Sequence, residues 1–168
     1  DLVRSRGLGD VYKRQDYLFV SEEDFLDAVE NGELLEYARY GVNYYGTPKG
    51  PVDKWLEDGH IVILKIDVQG AGNIKKMYPD AVSIFIMPPS MEILETRLRN
   101  RGSEEEDDVL RRLKIAIREI ERCRNEYDYV VINDDLKDAV DDIKTIITAE
   151  THRVSRCNKF FSEVCKNV

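Results

Sequence analysis

Near-continuous apolar runs alternate with helical patterns from residue 60 to about residue 153. The runs cover residues 60–67, 82–87 and 129–132, and uninterrupted apolar strands are typical of a parallel sheet that is covered on both faces. Apolar positions with helical spacing follow each run. These helical segments are about 71–77, 90–100, 104–125 and 136–153. The alternation predicts a doubly wound α/β layer built on three parallel strands.

A smaller α+β arrangement is predicted before this layer. Residues 17–20 and 34–40 have strand character, and the helix between them is capped by Ser21 and stopped by Gly32. The remaining predicted elements are a Gly/Tyr-rich turn over 41–47 and a helix from Pro51 to Gly59.

Residues 1–15 differ from the rest of the chain. They carry four basic and two acidic side chains and show no sustained periodicity. We interpret them as a tail, a linker or non-native sequence, with a short irregular start as the alternative.

The negative net charge of −8 limits the partners of this 168-residue chain. It argues against nonspecific nucleic-acid binding, which needs a positive field, whereas a small nucleotide needs only a few local arginines. Cys123, Cys157 and Cys165 lack CxxC spacing and fit reduced cytosolic thiols better than disulfides or a zinc site. Because no apolar run approaches a membrane span and no signal peptide is visible, we expect a cytoplasmic protein.

Polar side chains stand where two apolar runs end. Asp67 ends the first run, and Asn133, Asp134 and Asp135 follow the third. Ligands of open α/β sheets bind at the carboxyl ends of the strands. Both Asp67 and the 133–135 segment could instead cap the following helix. Both interpretations remain open at this point.

Arginines cluster around Gly102, at positions 97, 99, 101, 111 and 112. Guanidinium groups on a glycine hinge can close over phosphate charge, while ion pairing at the surface is the alternative. The acidic run between them has an ordinary explanation, because Ser103 and Glu106 form a capping box.

The chain contains no phosphate loop of the form Gly-x-x-x-x-Gly-Lys-Ser/Thr. Gly41 and Gly46 have the glycine spacing, but Thr47 and Pro48 stand where the lysine and hydroxyl residue are needed. The flanking pattern is also not strand–turn–helix. A cradle for the phosphates of ATP is therefore absent from these residues.

Taken in order, several segments resemble guanylate kinases, over about residues 16–153. They are residues 16–20 (DYLFV), 35–38 (LEYA), 43–47 (NYYGT), 66–71 (IDVQGA), 84–90 (IFIMPPS), 97–102 (RLRNRG) and 130–135 (VVINDD). The resemblance implies a three-layer parallel-sheet P-loop kinase core, here without its first strand and P-loop. It also implies a GMP-binding insertion over 16–58, a core over 59–168 and a helical lid at about 101–125.

The resemblance implies the transfer of the ATP γ-phosphate to GMP, giving GDP and ADP in purine nucleotide metabolism. Tyr17 and Tyr45 would hold the GMP phosphate. Glu36 would accept from guanine N1 and N2, Thr47 would donate to O6, and Asp67 would contact the guanine edge.

On the donor side the resemblance implies ATP with Mg²⁺. Arg97, Arg101 and Arg112 would neutralise charge on the transferring phosphoryl group, and Arg101 and Asn133 would contact ATP. Lys65 stands where the family usually has an acidic residue. Without a phosphate loop we expect this chain to be inactive alone, and a guanylate-kinase-like module that binds protein partners is the alternative.

Overall fold

The computed structural model describes residues 2–5, 18–40, 42–100 and 106–166 and divides into two compact units, Asp1–Ala81 and Val82–Val168. The first unit holds two antiparallel strand pairs and three helices among its described residues. Its elements are β1 (Leu2–Ser5), β2 (Leu18–Ser21), α1 (Glu22–Glu30), β3 (Leu34–Tyr40), β4 (Asn43–Pro48), α2 (Lys49–Glu57) and α3 (Val68–Met77). Strand β1, which lies within the segment interpreted as a tail, pairs with β2.

The predicted start and stop of α1 are confirmed. The Ser21 hydroxyl accepts a hydrogen bond from the Asp24 amide at 3.1 Å, which satisfies one of the amides that a helix start leaves unpaired. After the helix, Gly32 adopts a φ of 67°, in the left-handed region that glycine tolerates best.

The prediction of a turn over 41–47 was wrong for most of its length. Residues 43–48 form β4, which pairs with β3 so that Glu36 lies opposite Thr47 and Ala38 lies opposite Tyr45. Only Val42 is in a turn conformation among the described residues of that stretch. The ladder hydrogen bonds to β3 outweigh the local turn preference of glycine and asparagine.

The prediction of a strand over 60–67, buried on both faces, was also wrong. Ile61 and Ile63 are 62% and 67% exposed, while Val62, Leu64 and Ile66 pack against the core formed by Leu35, Val52 and Ile74. Among the described residues, no strand pairs with this segment. Without a ladder partner, an apolar run buries only the side that faces the core.

Hydrogen bonds hold α3 against its surroundings in the first unit. The Tyr78 hydroxyl, just after α3, donates to Asp53 Oδ1 on α2 at 2.5 Å. Burial, together with this bond to a carboxylate, raises the pKa of Tyr78 to about 12. Lys75 Nζ donates to the Ala81 carbonyl at 2.6 Å. These two bonds fix the C-terminal end of α3.

The second unit is a parallel strand pair with helices. Its elements are β5 (Ile84–Met87), α4 (Met91–Asn100), α5 (Glu106–Glu126), β6 (Tyr129–Ile132), α6 (Leu136–Thr151), a 3₁₀ turn (Val154–Arg156) and α7 (Asn158–Cys165). The register runs from Ile84 opposite Tyr129 to Met87 opposite Ile132. The described residues thus form a mixed α/β fold with small sheets, and the parallel sheet has two strands there rather than the expected three.

A buried carboxylate ties the end of α6 to the start of β6. The Tyr129 hydroxyl donates to Glu150 Oε1 at 2.5 Å, and Arg153 and Arg156 each lie 3.5 Å from this carboxylate. The hydrogen bond from Tyr129, followed by the charges of Arg153 and Arg156, holds the pKa of Glu150 below its usual range.

We expect Glu150→Gln to lower the unfolding midpoint at pH 7, with a difference that shrinks as the pH falls below about 4. A carboxyl group with a depressed folded-state pKa stabilises the fold above its unfolded pKa. That contribution is lost as the pH falls through the folded value. Thermal unfolding of both proteins from pH 7 to pH 3 checks this, with the exposed Glu163→Gln on α7 as control. A difference that stays constant with pH would contradict it.

Candidate functional site

A buried carboxylate and a buried hydroxyl meet across the β3–β4 pair. The Thr47 hydroxyl donates to Glu36 Oε1 at 2.6 Å, and the two residues are 2% and 6% exposed. Their pairing follows from the strand register, since they lie directly opposite each other. Burial of a carboxylate is costly unless polar neighbours stabilise it. Such a pair can recognise a ligand edge that combines donors with an acceptor.

Tyr45 shares the face of β4 with Thr47, because residues two apart on a strand point to the same side. It is half-buried and lies opposite Ala38. On the other face, Tyr44 packs against Phe25 with ring centroids 5.5 Å apart, and the guanidinium of Arg39 lies 5.3 Å from the Tyr44 ring centroid. The adjacent tyrosines therefore have different surroundings, and Tyr45 is the one on the side of the Glu36–Thr47 pair.

Asp67 is the N-cap of α3. Its Oδ1 accepts from the Gly70 amide at 2.7 Å, so helix capping, one of the two interpretations left open by the sequence, is confirmed. Capping also explains why α3 begins at Val68, three residues before the predicted start. The first turn of α3 lies against Glu36, because a Cβ placed on Gly70 would be 3.0 Å from Glu36 Oε2. The structure thus brings Glu36, Thr47 and Asp67 together.

In the second unit, Arg97 and Asn133 are brought together. Arg97 Nη1 donates to the Asn133 carbonyl at 2.6 Å and Nη2 donates to the Asp134 carbonyl at 3.2 Å. The backbone amide of Asn133 donates to the Met87 carbonyl at 2.8 Å. The helix-capping interpretation of residues 133–135 is confirmed at Asp135, whose Oδ1 accepts from the Lys137 and Asp138 amides. Arg97 therefore fixes the segment that follows β6.

The other arginines of the cluster differ in their surroundings. Arg99 forms ion pairs with Glu95 and Glu106, and Arg111 forms one with Asp108, so surface ion pairing explains these two. Arg112 is exposed on α5. Tyr17 and Arg101, both expected in the site, and Ser103 of the expected capping box lie outside the described residues.

A shallow, open depression of about 300 Å³ lies along one face of α5, and the sequence indicated Arg111 in its lining but not Lys114 or Arg118. It is lined by Asp107, Leu110, Arg111, Lys114, Ile115 and Arg118. The signal was the recurrence of basic residues at one-turn intervals on one helix face. The approach of Gly70 to Glu36 depends on tertiary packing that the spacing of residues in the sequence does not reveal.

Two further properties of the described residues bear on function. Among residues 2–5, 18–40, 42–100 and 106–166, no three His, Cys, Asp or Glu side chains are grouped so that they could hold a metal ion. None of the helices described for this chain is long and apolar enough to cross a membrane.

Proteins of similar sequence and fold are guanylate kinases. A family model described as guanylate kinase matches residues 4–150. The chain is 46% identical over 142 residues to the guanylate kinase of Carboxydothermus hydrogenoformans. This match covers 84% of this chain and 69% of that protein. It is 44% identical over 152 residues to the guanylate kinase of Oceanobacillus iheyensis, and the match covers 90% of this chain and 73% of that protein. The crystal structure of guanylate kinase from Anaplasma phagocytophilum matches with a TM-score of 0.70 and 36% identity, covering 92% of this chain and 77% of that chain.

Proposed function

The chain belongs to the guanylate kinase family, a family of nucleotide kinases, and we propose that it carries the GMP-binding side of an enzyme that transfers the ATP γ-phosphate to GMP. The products are GDP and ADP. The observation that carries the proposal is the buried Glu36–Thr47 hydrogen bond of 2.6 Å, next to the capped N-terminus of α3.

The Glu36–Thr47 pair is suited to select guanine over adenine. The carboxylate of Glu36 accepts from N1–H and the 2-amino group, and the Thr47 hydroxyl donates to O6. Adenine has an acceptor at N1 and donors at its 6-amino group, so both protein groups would meet the wrong partner. A hydroxyl has a single proton, which Thr47 directs at Glu36 in the structure. On GMP binding that proton turns to O6 while guanine supplies new donors to Glu36.

The remaining acceptor-side residues are assigned to the edge and phosphate of GMP. Tyr45 lies on the same face of β4 as Thr47, so its hydroxyl is assigned to the GMP phosphate, together with Tyr17. Asp67 positions the first turn of α3 through its cap and is assigned the guanine edge. The GMP-binding insertion is thus assigned to residues 16–58, with Asp67 added from the adjoining segment.

The donor-side residues are assigned to phosphoryl charge and to ATP. Phosphoryl transfer depends mainly on positioning and electrostatic stabilisation, and Arg97, Arg101 and Arg112 supply positive charge for it. Arg97 now binds the carbonyls after β6, so it also shapes the segment in which Asn133 is assigned to adenine. Arg101 is assigned to ATP as well, in a lid over about 101–125.

Mg²⁺ is assigned to the reaction as an ion that arrives with ATP. In nucleotide kinases this ion uses phosphate oxygens, water and one or two carboxylates rather than a protein cage. When bound, Mg²⁺ neutralises charge on the nucleotide phosphates. The protein groups described above bind, orient and select GMP.

A polypeptide limited to these 168 residues has no phosphate loop, and we expect it to bind GMP without turning it over. Extending it by a strand and a phosphate loop should give formation of GDP from GMP, ATP and Mg²⁺, and no comparable reaction with AMP. Persistent inactivity of an extended chain that is folded would contradict the proposed activity.

A cytoplasmic location is part of the proposal. Cys123, Cys157 and Cys165 are all free thiols in the structure, as is usual for proteins of a reducing compartment.

A further inference from the structure

The first turn of α3 approaches the Glu36 carboxylate at Gly70. A Cβ built on Gly70 would lie 3.0 Å from Glu36 Oε2, 3.4 Å from Glu36 Cδ and 3.3 Å from Asp67 Oδ1. Gly70 is itself buried, and its backbone is helical rather than left-handed. The glycine is therefore not required by its backbone conformation. The two carboxylates leave little room for a Cβ at this position.

The Glu36 carboxylate has little freedom to yield. Its Oε1 accepts from the Thr47 hydroxyl at 2.6 Å, and the residue is 6% exposed. A methyl group on residue 70 would push Oε2 away from α3 by a few tenths of an ångström. Because close packing transmits such displacements, the carboxylate would shift along the strand pair or break its bond with Thr47.

The helix also supplies a favourable field at this point. Helix α3 has ten residues, and its first turn contains no acidic side chain. Its N-terminal amides carry partial positive charge, and the absence of a side chain at residue 70 lets Glu36 approach them closely. The same approach thus sets both the position and the electrostatic environment of the carboxylate.

We propose that Gly70 is a positioning residue for guanine selection, which sets the Glu36 carboxylate at the depth where it accepts from N1–H and the 2-amino group together. This inference rests on the proposed function, since it assumes that Glu36 contacts guanine. Gly70 itself touches no reacting group and acts only through Glu36.

The first test compares Gly70→Ala with Gly72→Ala by calorimetric titration with GMP and with inosine monophosphate, which lacks the 2-amino group. Gly72 lies on the same helix, and a Cβ added there would have no atom within 4 Å. Comparing the two variants therefore separates the effect of the contact with Glu36 from the effect of helix propensity. Gly70→Ala should weaken the binding of GMP about tenfold and the binding of inosine monophosphate about threefold or less. A displaced carboxylate can no longer accept from N1–H and the 2-amino group together, whereas inosine monophosphate offers it only N1–H. Gly72→Ala should leave both affinities within about twofold of the wild type.

Equal losses for both nucleotides in Gly70→Ala, or affinities equal to those of Gly72→Ala, would overturn the inference and leave the proposed function standing. If neither the wild type nor Gly72→Ala binds GMP, the proposed function fails and the inference fails with it.

A second test needs no nucleotide. Glu36→Asp shortens the side chain by one methylene and withdraws the carboxylate from α3. Relative to Gly72→Ala, Gly70→Ala should lower the melting temperature in the wild-type background but not in the Glu36→Asp background, because the two sites are energetically coupled. The same loss in both backgrounds would show that residue 70 acts independently of Glu36 and would overturn the proposal.

Discussion

Replacing Glu36 by glutamine is expected to weaken GMP binding by about 10²–10³-fold. The substitution keeps the shape of the side chain but exchanges an acceptor oxygen for an amide that donates. Guanine presents donors at N1 and at the 2-amino group, so one charge-assisted hydrogen bond, worth about 1.5–3 kcal/mol, is replaced by two donors that face each other, and the other bond loses its charge assistance. Isothermal titration with GMP measures the change directly.

The control for Glu36→Gln is Glu33→Gln, which makes the same change of charge at an exposed residue just before β3. This variant should bind GMP within about twofold of the wild type. If Glu36 contacts guanine, the loss of GMP affinity must be specific to position 36. Equal GMP affinities for the two variants would therefore contradict the assignment of Glu36 to guanine.

Replacing Thr47 by valine is expected to weaken GMP binding about tenfold and to lower the free energy of unfolding by about 1–3 kcal/mol. Valine keeps the volume but removes the hydroxyl that donates to the buried Glu36 carboxylate and that is assigned to O6. Titration with GMP and denaturant unfolding measure the two effects separately.

Two controls separate the hydroxyl of Thr47 from general effects of the substitution. Thr47→Ser keeps the hydroxyl and should retain GMP affinity within about threefold. Thr145→Val removes an exposed hydroxyl on α6 that bonds only within its own helix, to the Asp141 carbonyl, and should change neither quantity appreciably. If Thr47→Val bound GMP as Thr47→Ser does, the hydroxyl would have no part in recognition.

Local signals predicted the elements best where the relevant partners are close in sequence. The Ser21 cap and the Gly32 stop of α1 act over a few residues, and both are present in the structure. The run over 60–67 failed because its state depends on a ladder partner rather than on its own composition. The stretch over 41–47 failed for the opposite reason, since β3 supplies a partner that overrides local turn preference.

The sequence proposes residues for the candidate site but does not reveal their contacts. Glu36 and Thr47 are 11 positions apart, and their hydrogen bond depends on the β3–β4 register, which includes an irregularity near residue 35. Arg97 was identified as a charge for phosphate, yet its contacts are with carbonyls 36 and 37 positions away. Motif order reveals which residues belong to a family, whereas only packing reveals what each one touches.

We expect this chain to distinguish guanine from adenine through Glu36 and Thr47. Parallel calorimetric titrations of the wild-type chain with GMP and with AMP, carried to millimolar nucleotide, measure this selectivity without any substitution. GMP binding should be saturable and about a hundredfold or more tighter than AMP binding, because mismatched buried polar groups are costly. Equal affinities, or binding of neither nucleotide by the folded chain, would contradict it.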